Sequence, residues 1–469
     1  MSQRAALTYT GTERLLQNLR QTPTIHKLNT PKLAPIMTEH TLPYRSLLRT
    51  AFLWKTAGVA LALASHVIAG RALGAAEYGR FVLTLSSASL LATICQLGLQ
   101  NAAIRFVTDM FSHGNYRHIR DYWRLSVMAI VATSSVLAIS CLPGLSYLAA
   151  HGQIQTAVQQ SLTAAILLTP AQAIARLQRE ILRSLEDIQS ALLPEEVIRQ
   201  ILFIFSIPLL RMSGTLSFTT VTATYALAYA ITAILTASAL YKRVPAHHRH
   251  CPNLSTANLI QWLRSSVPLM VTTLTKDLQQ RVDTLMLPAL SSFATAGVYA
   301  AAAKIALAAS LPQAIVFTTA APRIGLLYAD RENVRLQTFL NKTTTSLTAL
   351  SLAIATIIAL GSPYFLSLWG APYQAGNRAL WLLLAAGIVN VAGGPSAYIL
   401  TVCGHEGVVA RALILSLLIN LAMNAALIPL FGATGAALGT LISITFWTRC
   451  LAHEARTRTG YRCSFHIGV

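Results

Sequence analysis

Residues 275–287 read TKDLQQRVDTLML, a charged segment with apolar sequence on both sides. Two cations and two anions occupy eight positions of it: Lys276, Asp277, Arg281 and Asp283. An ionisable group at the centre of a bilayer costs about 2.5–3.5 kcal/mol, so such groups usually face a water-filled cavity or one another. The segment therefore predicts a bundle of membrane helices with a polar interior, provided that the rest of the chain is a membrane protein.

The composition of the whole chain is that of an integral membrane protein. Its 469 residues are 54% hydrophobic and 11% charged, whereas soluble domains average about 25% charged residues. The mean hydropathy is +0.54. The apolar runs are long enough to cross a bilayer as helices, and they lack the short polar–apolar alternation of barrel strands. The fold class is therefore predicted to be all-α and membrane-embedded.

Twelve apolar segments follow one another along the chain, six before a basic connector and six after it. They lie at about 51–70, 81–104, 125–148, 161–177, 197–210, 217–241, 266–290, 296–321, 340–361, 379–400, 410–430 and 433–451. With the N-terminus inside, 28 of the 36 Lys and Arg residues lie on the inner side and four in outer loops. Cytoplasmic loops collect such cations. This pattern predicts cytoplasmic termini, and it accounts for the net charge of +20 without nucleic acid.

The predicted organisation has five parts. They are a disordered cytoplasmic arm at 1–45, a six-helix lobe at 46–241, the cytoplasmic connector at 242–264, a second six-helix lobe at 265–452 and a cytoplasmic tail at 453–469. The arm is polar and has no apolar run of signal-peptide length. A duplication is indicated by the two similar halves: GAAEYGRFVLTLS at 74–86 aligns with TAGVYAAAAKIAL at 295–307, which pairs Tyr78 with Tyr299.

Motifs for covalent chemistry and for cofactors do not occur in the sequence. There is no GxxxxGK[ST], GxSxG or HExxH pattern, and the six cysteines form no CxxC pair. HHRHC at 247–251 would suit a metal, but a single cluster in a basic loop is more often solvated charge. We expect no cofactor, no metal and no enzymatic activity.

Several segments together resemble the polysaccharide flippases called Wzx-type, which transport O-antigen and exopolysaccharide precursors. They are RALGAAEYGRFVLTLS at 71–86, LGLQNAAIRF at 97–106, RVDTLMLPALSSFATAGVYAAAAKIA at 281–306 and NAALIPLFGATGAALGTLIS at 424–443. Each is a loose pattern of Gly, Tyr and Asn among apolar residues, and their order and spacing are more specific. The resemblance covers about 46–452 and extends to the superfamily of lipid II flippases and MATE exporters.

This resemblance implies two pseudosymmetric six-helix lobes around a central cavity. The implied substrate is an undecaprenyl-pyrophosphate-linked oligosaccharide, moved across the bacterial inner membrane for O-antigen, capsule or exopolysaccharide biosynthesis. The implied partners are membrane lipids and the polymerase and chain-length proteins of the same pathway, and we expect a monomer. The alternative within transport is a MATE-like cation-coupled exporter of drugs or metabolites.

Helical spacing separates the charges of the opening segment into two faces. Asp277 and Arg281 are four residues apart and share one face, whereas Lys276 and Asp283 share another. Two interpretations remain open: a structural Asp277–Arg281 ion pair, or a polar strip along a water-filled cavity. In the cavity interpretation Lys276 and Arg281 bind the pyrophosphate, and Asp277 or Asp283 carries the coupling H⁺ or Na⁺.

Three further polar groups complete the predicted cavity. Lys55 and His66 point the same way on the first helix, because eleven residues are close to three turns. Lys304 lies in the eighth helix. Each residue also has an interpretation without a role in the cavity. Lys55 would extend to the inner surface, His66 would be a hydrogen-bonded core residue, and Lys304 would pair with Asp277 or Asp283. A membrane-bound polymerase or ligase would need a large outer loop, and the longest one predicted here, 362–378, is short.

Overall fold

The computed structural model describes residues 41–244 and 256–464 of the chain. The chain divides into two units, residues 1–50 and 51–469. Only 41–50 of the first unit are described, and they are helical. The predicted arm at 1–45 therefore lies almost wholly outside the described residues, as do HHRHC at 247–251 and the last five residues of the tail.

All regular elements in these two described ranges are helices. They are Thr41–Cys95, Leu99–Ser112, Tyr116–Ala150, Thr156–Ser184, Ile188–Leu192, a π-helix Leu193–Ile198, Arg199–Met212, Phe218–Arg243, Thr256–Leu290, Phe293–Ala306, a 3₁₀ turn Leu307–Ser310, Leu311–Ala329, Asn333–Leu360, Ser362–Ser367, a 3₁₀ turn Ala371–Gly376, Asn377–Ala392, Ser396–Val402 and Glu406–Thr459. The all-α prediction is confirmed.

Seven segments of the described chain are long and apolar enough to cross a membrane by length and composition. Two of them contain a glycine with non-helical backbone, Gly74 and Gly432, so each makes two crossings. Three more helical segments, Thr156–Ser184, 188–212 and Thr256–Leu290, are less apolar because they carry most of the interior charges. The described ranges thus contain the twelve crossings that the sequence predicts.

We number these crossings as spans. Span 1 is 52–73, span 2 is 75–112, span 3 is Tyr116–Ala150, span 4 is Thr156–Ser184, span 5 is 188–212 and span 6 is Phe218–Arg243. Span 7 is Thr256–Leu290, span 8 is 293–329, span 9 is Asn333–Leu360, span 10 is 371–402, span 11 is 406–431 and span 12 is 433–459. Spans 1–6 form the N-lobe and spans 7–12 the C-lobe. The Gly74 end contains the turn between spans 1 and 2, and the His113 end contains the turn between spans 2 and 3.

The two lobes meet at the Gly74 end through two glycines. A Cβ on Gly79 would overlap the carbonyl oxygen of Phe293, and a Cβ on Gly297 would overlap that of Ala75. Residue 297 stands 218 positions after 79, and 293 stands 218 positions after 75, so the contact is reciprocal. Spans 2 and 8 therefore cross at a pseudo-twofold axis. This axis pairs Tyr299 with residue 81, three positions from the Tyr78–Tyr299 alignment of the sequence.

Aromatic side chains add to the closure of the Gly74 end. The ring of Trp369 packs against Gly70 of span 1, where a Cβ would overlap it. The Tyr373 hydroxyl donates to the Gly70 carbonyl oxygen at 3.0 Å, and the Tyr373 ring lies edge-on to Tyr78. Trp369 and Tyr373 are each 1% exposed. These contacts join the lobes in one buried apolar cluster.

A second seam follows span 2 and span 7 toward the His113 end. Its polar contacts are Ser86–Thr284 at 3.1 Å, Thr93–Asp277 at 2.6 Å and Asn101–Thr273 at 2.6 Å. Gly98, whose φ is +78°, brings the backbone of span 2 against Ser266, and a Cβ there would overlap the Ser266 carbonyl. The lobes are therefore in contact along this side over most of the length of span 2.

The structure extends two helices beyond the predicted lobe boundaries. Span 7 begins at Thr256, so part of the predicted connector at 242–264 is helical. Span 12 continues to Thr459, which makes the first seven residues of the predicted tail helical. The chain then turns at Gly460, and the Thr344 hydroxyl donates to the Cys463 carbonyl at 3.0 Å, which holds the tail against span 9.

Candidate functional site

Four cations from four spans are linked in series between the lobes, each within electrostatic range of the next. Arg281 of span 7 is in range of Arg176 of span 4, and Lys304 of span 8 is in range of both Arg281 and Arg199 of span 5. Each lobe therefore contributes two cations. Like charges in a low-dielectric interior repel one another. Glu195 lies in range of Arg176 and Arg199, and Asp277 in range of Arg281, so the cost of repulsion falls mainly on Arg281 and Lys304.

Arg281 has no acidic partner in the part of the chain that the structure describes. Its Nε is buried and donates to no acceptor there, although Asp277 lies in electrostatic range. Tyr225 and Tyr229 of span 6 are also in range, so this face of span 7 is turned toward the N-lobe. The guanidinium is thus held at the lobe interface with donor capacity to spare.

Lys304 is equally unpaired among the described residues. It is half-buried, and neither a salt bridge nor a side-chain hydrogen bond reaches its Nζ from residues 41–244 or 256–464. The predicted pairing of Lys304 with Asp277 or Asp283 is therefore wrong. Its charged neighbours are the two cations Arg281 and Arg199.

Arg199 is fixed in the N-lobe by aromatic residues of span 6. Its Nη1 donates to the Tyr225 hydroxyl at 2.6 Å, and its Nε donates to the Glu195 carbonyl at 3.1 Å. The guanidinium carbon lies 4.6 Å from the centre of the Tyr229 ring, a cation–π distance. Arg199 directly follows the π-helix 193–198, and such bulges change the direction in which the next side chains point.

Arg176 and Arg199 were missed by the sequence analysis, which counted both as loop cations. Arg176 lies well inside the helix Thr156–Ser184, where its Nη2 donates to the Ser89 hydroxyl at 2.8 Å. Both residues lie within the predicted segments 161–177 and 197–210, but so near their ends that they were assigned to the adjoining loop. The sequence signal that these arginines lie inside the bundle is the presence of apolar residues close to them in the same helices. Ala175, Leu177 and Phe203 are all buried.

His66 and Lys55 of span 1 have separate environments. The His66 Nδ1 lies 3.0 Å from the Tyr78 hydroxyl, and His66 is in electrostatic range of Lys304 and Arg199. It therefore borders the cation group and is also hydrogen-bonded. Lys55 lies nearer the start of the helix, where its Nζ pairs with Glu196 at 2.7 Å. Its side chain is 62% exposed, so the structure does not bring Lys55 to Lys304.

Asp277 joins the two lobes and is not paired with Arg281. It accepts a hydrogen bond from the Thr93 hydroxyl at 2.6 Å across the span 2–span 7 seam. Within the described residues no acidic oxygen lies within ion-pair distance of Arg281, so the structural-pair interpretation is wrong for this conformation. Lys276, one residue earlier, is exposed.

Asp283 lies inside the C-lobe, in a site made only of oxygen and amide groups. Its Oδ2 accepts from the Tyr299 hydroxyl at 2.5 Å and from the Thr440 hydroxyl at 2.7 Å. Its Oδ1 accepts from the Asn424 amide at 2.6 Å. The residue is 5% exposed. Lys276 and Asp283 share a direction on the helix, but spans 11 and 12 cover only Asp283.

The polar groups around Asp283 have unused acceptors. Asn420 lies beside the carboxylate and is 0% exposed, yet neither its amide oxygen nor its nitrogen has a hydrogen-bond partner among the described residues. The buried side-chain oxygens of Asn424 and Gln279 are likewise without donors there. A proton or a small cation would use this capacity, because one carboxylate and several neutral oxygens form a typical hard-cation donor set.

Transition-metal chemistry has no support from the described residues. Nowhere in 41–244 or 256–464 do three or more His, Cys, Asp or Glu side chains converge on one point. What remains is a cationic group between the lobes and a buried carboxylate in one lobe. Such an arrangement can attract an anion and can separately exchange a cation.

The fold is similar to that of transporters of the MOP superfamily. An inward-facing MATE multidrug resistance transporter is 15% identical, with a TM-score of 0.71 over 86% of this chain and 94% of that chain. An outward-facing one is 16% identical, with a TM-score of 0.62 over 88% and 95%. A MOP superfamily transporter from Pyrococcus furiosus, whose binding pocket has reversed polarity, is 15% identical, with a TM-score of 0.63 over 89% and 96%.

The family follows from the sequence match. Residues 51–327 match the family described as polysaccharide biosynthesis protein, and because this is more than half of the chain, the chain belongs to that family. A search of curated proteins finds no match. The protein is therefore a multi-pass membrane protein of this polysaccharide biosynthesis family, with the fold of MATE transporters.

Proposed function

We propose that the protein flips an undecaprenyl-pyrophosphate-linked oligosaccharide across the bacterial inner membrane. The product serves polysaccharide biosynthesis, whether O-antigen, capsule or exopolysaccharide. The observation that carries this proposal is the absence of an acidic partner, among the described residues, for Arg281 and Lys304 at the lobe interface. A pyrophosphate supplies the missing negative charge, and a guanidinium binds it in bidentate fashion.

The cation group also has to release its ligand. Asp277 lies in electrostatic range of Arg281 and lowers the net positive charge of the group. An all-cation site would hold a pyrophosphate too tightly for transport, whereas this mixture favours binding without trapping. His66 and Arg199 extend the positive field toward spans 1 and 5. Lys276 and Lys55 are exposed and act, in this proposal, at the entrance of the cavity.

The cavity in this state is proposed to open at the His113 end, on the side away from the span 2–span 7 seam. The contacts at Gly79, Gly297 and Trp369 close the Gly74 end. With cytoplasmic termini, as the distribution of Lys and Arg predicts, the closed end is periplasmic and the protein faces inward. The higher TM-score with an inward-facing relative, 0.71 against 0.62 with an outward-facing one, is consistent with that assignment.

Asp283 is proposed to bind the coupling ion, H⁺ or Na⁺. Its site contacts spans 8, 11 and 12, so occupancy by a cation changes how these helices pack. Asp277 is the second candidate, because it bonds to Thr93 of the other lobe and would release that bond when protonated. Membrane lipids and the polymerase and chain-length proteins of the pathway are the proposed partners of a monomeric transporter.

The test is ligand binding by the full chain in lipid nanodiscs. We expect undecaprenyl pyrophosphate to bind more tightly than undecaprenyl monophosphate, and inorganic pyrophosphate to compete. Arg281→Gln and Lys304→Gln should each weaken binding at least tenfold, whereas Arg378→Gln, an equal charge change at an exposed site, should leave it unchanged. Equal affinity of all three proteins for the pyrophosphate lipid would refute the proposal.

A MATE-like exporter is the second candidate, because the fold is shared with multidrug transporters. MATE exporters take organic cations as substrates. A group of four cations at the lobe interface would repel such a substrate. The same nanodiscs distinguish the two functions. Saturable binding of ethidium, with no binding of the pyrophosphate lipid, would favour export of cations.

A further inference from the structure

A second, uncharged cavity lies within the C-lobe, away from the cation group. Its volume is about 140 Å³, and it is formed by spans 8, 10 and 12. None of the eleven residues that line it carries a formal charge. Tyr398 at its edge is 42% exposed, so the cavity is open to its surroundings. A charged ligand finds no partner in it, which excludes the pyrophosphate.

The lining combines aromatic rings with amides. Phe317 and Tyr398 contact each other edge to face, with ring centres 5.2 Å apart, and Trp447 contributes a third ring. The Asn390 amide donates to the Gln313 side-chain oxygen at 3.3 Å. Because each amide can make up to four hydrogen bonds, this pair keeps donors and acceptors free for a ligand.

One buried hydroxyl in the lining lacks a partner. Thr448 Oγ1 has neither donor nor acceptor among the described residues, although it is buried. Close backbone packing maintains this wall, because a Cβ on Gly393 would overlap the Thr448 side chain. A buried hydroxyl without a partner is unfavourable, so a hydroxylated ligand that bonds to it gains affinity.

Size limits the ligand to one small ring. At about 30 Å³ per water molecule, the cavity holds the volume of roughly five waters. This is well below the ~300–1,000 Å³ of pockets for drug-sized molecules. A neutral, polyhydroxylated ring fits this combination: its hydroxyls meet the amides and Thr448, and its C–H faces meet the aromatic rings.

The cavity lies at a defined distance from the cation group along span 8. Gln313 and Phe317 follow Lys304 on span 8 by nine and thirteen residues, or roughly 14–20 Å toward the His113 end at about 1.5 Å per residue. A glycan attached to a pyrophosphate at Lys304 would cover this distance within its first few sugars.

We propose that this C-lobe cavity is a subsite for one neutral sugar residue of the transported glycan. The identity of the physiological ligand in this proposal rests on the proposed function. The cation group recognises the anionic linkage, which all lipid-linked glycans share, and the C-lobe cavity recognises a sugar. Selectivity among glycans then comes from residues of spans 8, 10 and 12, and not from the cations.

The experiment measures sugar binding separately from pyrophosphate binding, on the full chain in nanodiscs free of glycoside detergents. The probes are methyl glycosides of neutral hexoses, N-acetylhexosamines and deoxyhexoses, followed by saturation-transfer NMR, and inorganic pyrophosphate, followed by calorimetry. Asn390→Leu removes an amide of the lining, and Ala397→Phe fills the cavity. Thr448→Val removes one hydroxyl with little change in shape. It replaces either of the other two variants as the test if that variant fails to fold.

We expect at least one glycoside to bind, and the C-lobe variants to weaken it at least fivefold with pyrophosphate binding unchanged. Arg281→Gln should weaken pyrophosphate binding and leave glycoside binding unchanged. The subsite is refuted if no glycoside of the three classes binds, or if one binds equally well to Ala397→Phe and Thr448→Val. Failure of pyrophosphate to bind the wild-type protein would instead refute the proposed function, and the glycoside result would still decide the subsite.

Discussion

Arg281 has an energetic property that an ion-paired arginine lacks. Removing one partner of a buried ion pair leaves the other charge uncompensated and costs about 3–5 kcal/mol. Arg281 has no acid partner within the described ranges, and its Nε is buried without an acceptor. Neutralising it therefore removes a desolvated charge and leaves no other group stranded. An anionic ligand, as proposed, would compensate this charge.

The first prediction concerns Arg281→Gln. Its thermal unfolding midpoint should equal or exceed that of the wild type, while transport falls at least tenfold, since a hydrogen bond to a charged group contributes about 1.5–3 kcal/mol. Differential scanning fluorimetry and flipping of the pyrophosphate lipid in proteoliposomes measure the two quantities. A large loss of stability would mean that Arg281 is part of a structural pair in another conformation.

The second prediction concerns Asp283→Asn. The carboxylate accepts three hydrogen bonds, and an amide in its place would point N–H groups at one of these donors, at a cost of about 1–3 kcal/mol. A bound cation stabilises the folded state by mass action. We therefore expect the wild-type melting temperature to rise with NaCl or to shift with pH, and the Asp283→Asn temperature to lose that dependence.

Asp109→Asn serves as the matched control for this experiment. Asp109 is 74% exposed at its side chain, outside the C-lobe site, so the variant should keep the wild-type response to salt and pH. If Asp283→Asn also keeps that response in full, the coupling ion binds elsewhere, and Asp277 becomes the candidate.

Helical spacing predicted the directions of these side chains better than their partners. It placed Asp277 and Arg281 on one face, and both are turned toward the N-lobe. It could not identify Thr93 as the partner of Asp277, because that contact joins residues 184 positions apart. Nor could it show that Asp283 is enclosed by Tyr299 and Thr440, since burial of one helix face depends on how neighbouring helices pack.

At the scale of elements, the crossing of spans 2 and 8 depends on the absence of two side chains. Gly79 and Gly297 let the backbones approach so closely that a Cβ at either would overlap a carbonyl oxygen. Small residues allow this approach in membrane helices generally. Because the crossing is also the closed Gly74 end, it has to separate whenever the cavity opens on that side.

The third prediction is that Gly79→Ala opens the Gly74 end. A methyl group forced into a packed contact costs about 1–3 kcal/mol, and separation of the lobes relieves it. A cysteine in place of Ala296, which is 1% exposed beside the crossing, should therefore react faster with a maleimide in Gly79→Ala than in the wild type. Gly144→Ala is the control, because nothing lies within 4 Å of a Cβ there. Equal rates in all three proteins would contradict the prediction.

The turn between spans 4 and 5 provides the fourth prediction. Asp187 caps span 5 by accepting the Ser190 N–H at 3.1 Å, and it pairs with Arg243 at 2.9 Å. Partial burial opposes ionisation of its carboxyl group, but the bonds from Arg243 and Ser190 outweigh this and hold its pKa below the usual range. The contribution to stability is therefore complete above the unfolded pKa of about 4 and is lost as pH falls through the folded pKa.

We expect Asp187→Ala to lower stability at pH 7 by about 1 kcal/mol, as is typical when a cap is lost. Asp187→Asn keeps the capping oxygen and loses only the ion pair with Arg243, whose side chain is 61% exposed, so the pair contributes about 0–1 kcal/mol. Thermal melts at pH 7 and at pH 3 test this: the difference between wild type and Asp187→Asn should shrink at the lower pH. A difference that grows on acidification would mean that the folded pKa is raised.

The number of spans was predicted from the sequence, but the predicted lengths of spans 4 and 5, which carry charges, were too short. Hydropathy identifies a helix by its apolar residues, and Thr156–Ser184 carries Arg176 and Arg179 in its inner half. These residues are tolerated because Ser89 and Glu195 of neighbouring elements bond to them. That compensation is tertiary, so no window of sequence contains it.

At the scale of the whole molecule, the duplication is clearer in the backbone than in the residues. The reciprocal Gly79–Gly297 contact defines an offset of 218 residues, and the same offset pairs Gly74 with Ser292, each of which stands with non-helical backbone directly before a span. Apolar residues substitute freely for one another in membrane helices, which hides the repeat in the sequence. The symmetry matters because two similar lobes can close the cavity at either end with related contacts.

The last prediction concerns orientation, on which the direction of transport depends. Twenty-eight inner-side cations were counted from the sequence, and moving Arg176 and Arg199 into the bundle leaves the bias over four outer cations intact. The Gly74 end should therefore face the periplasm. In a cysteine-free background, a cysteine at the exposed Ser291 should react with an impermeant maleimide from outside intact cells. A cysteine at Val334, which is 81% exposed at the other end, should react only after permeabilisation. Labelling of position 334 in intact cells would invert the topology, and the closed Gly74 end would then face the cytoplasm.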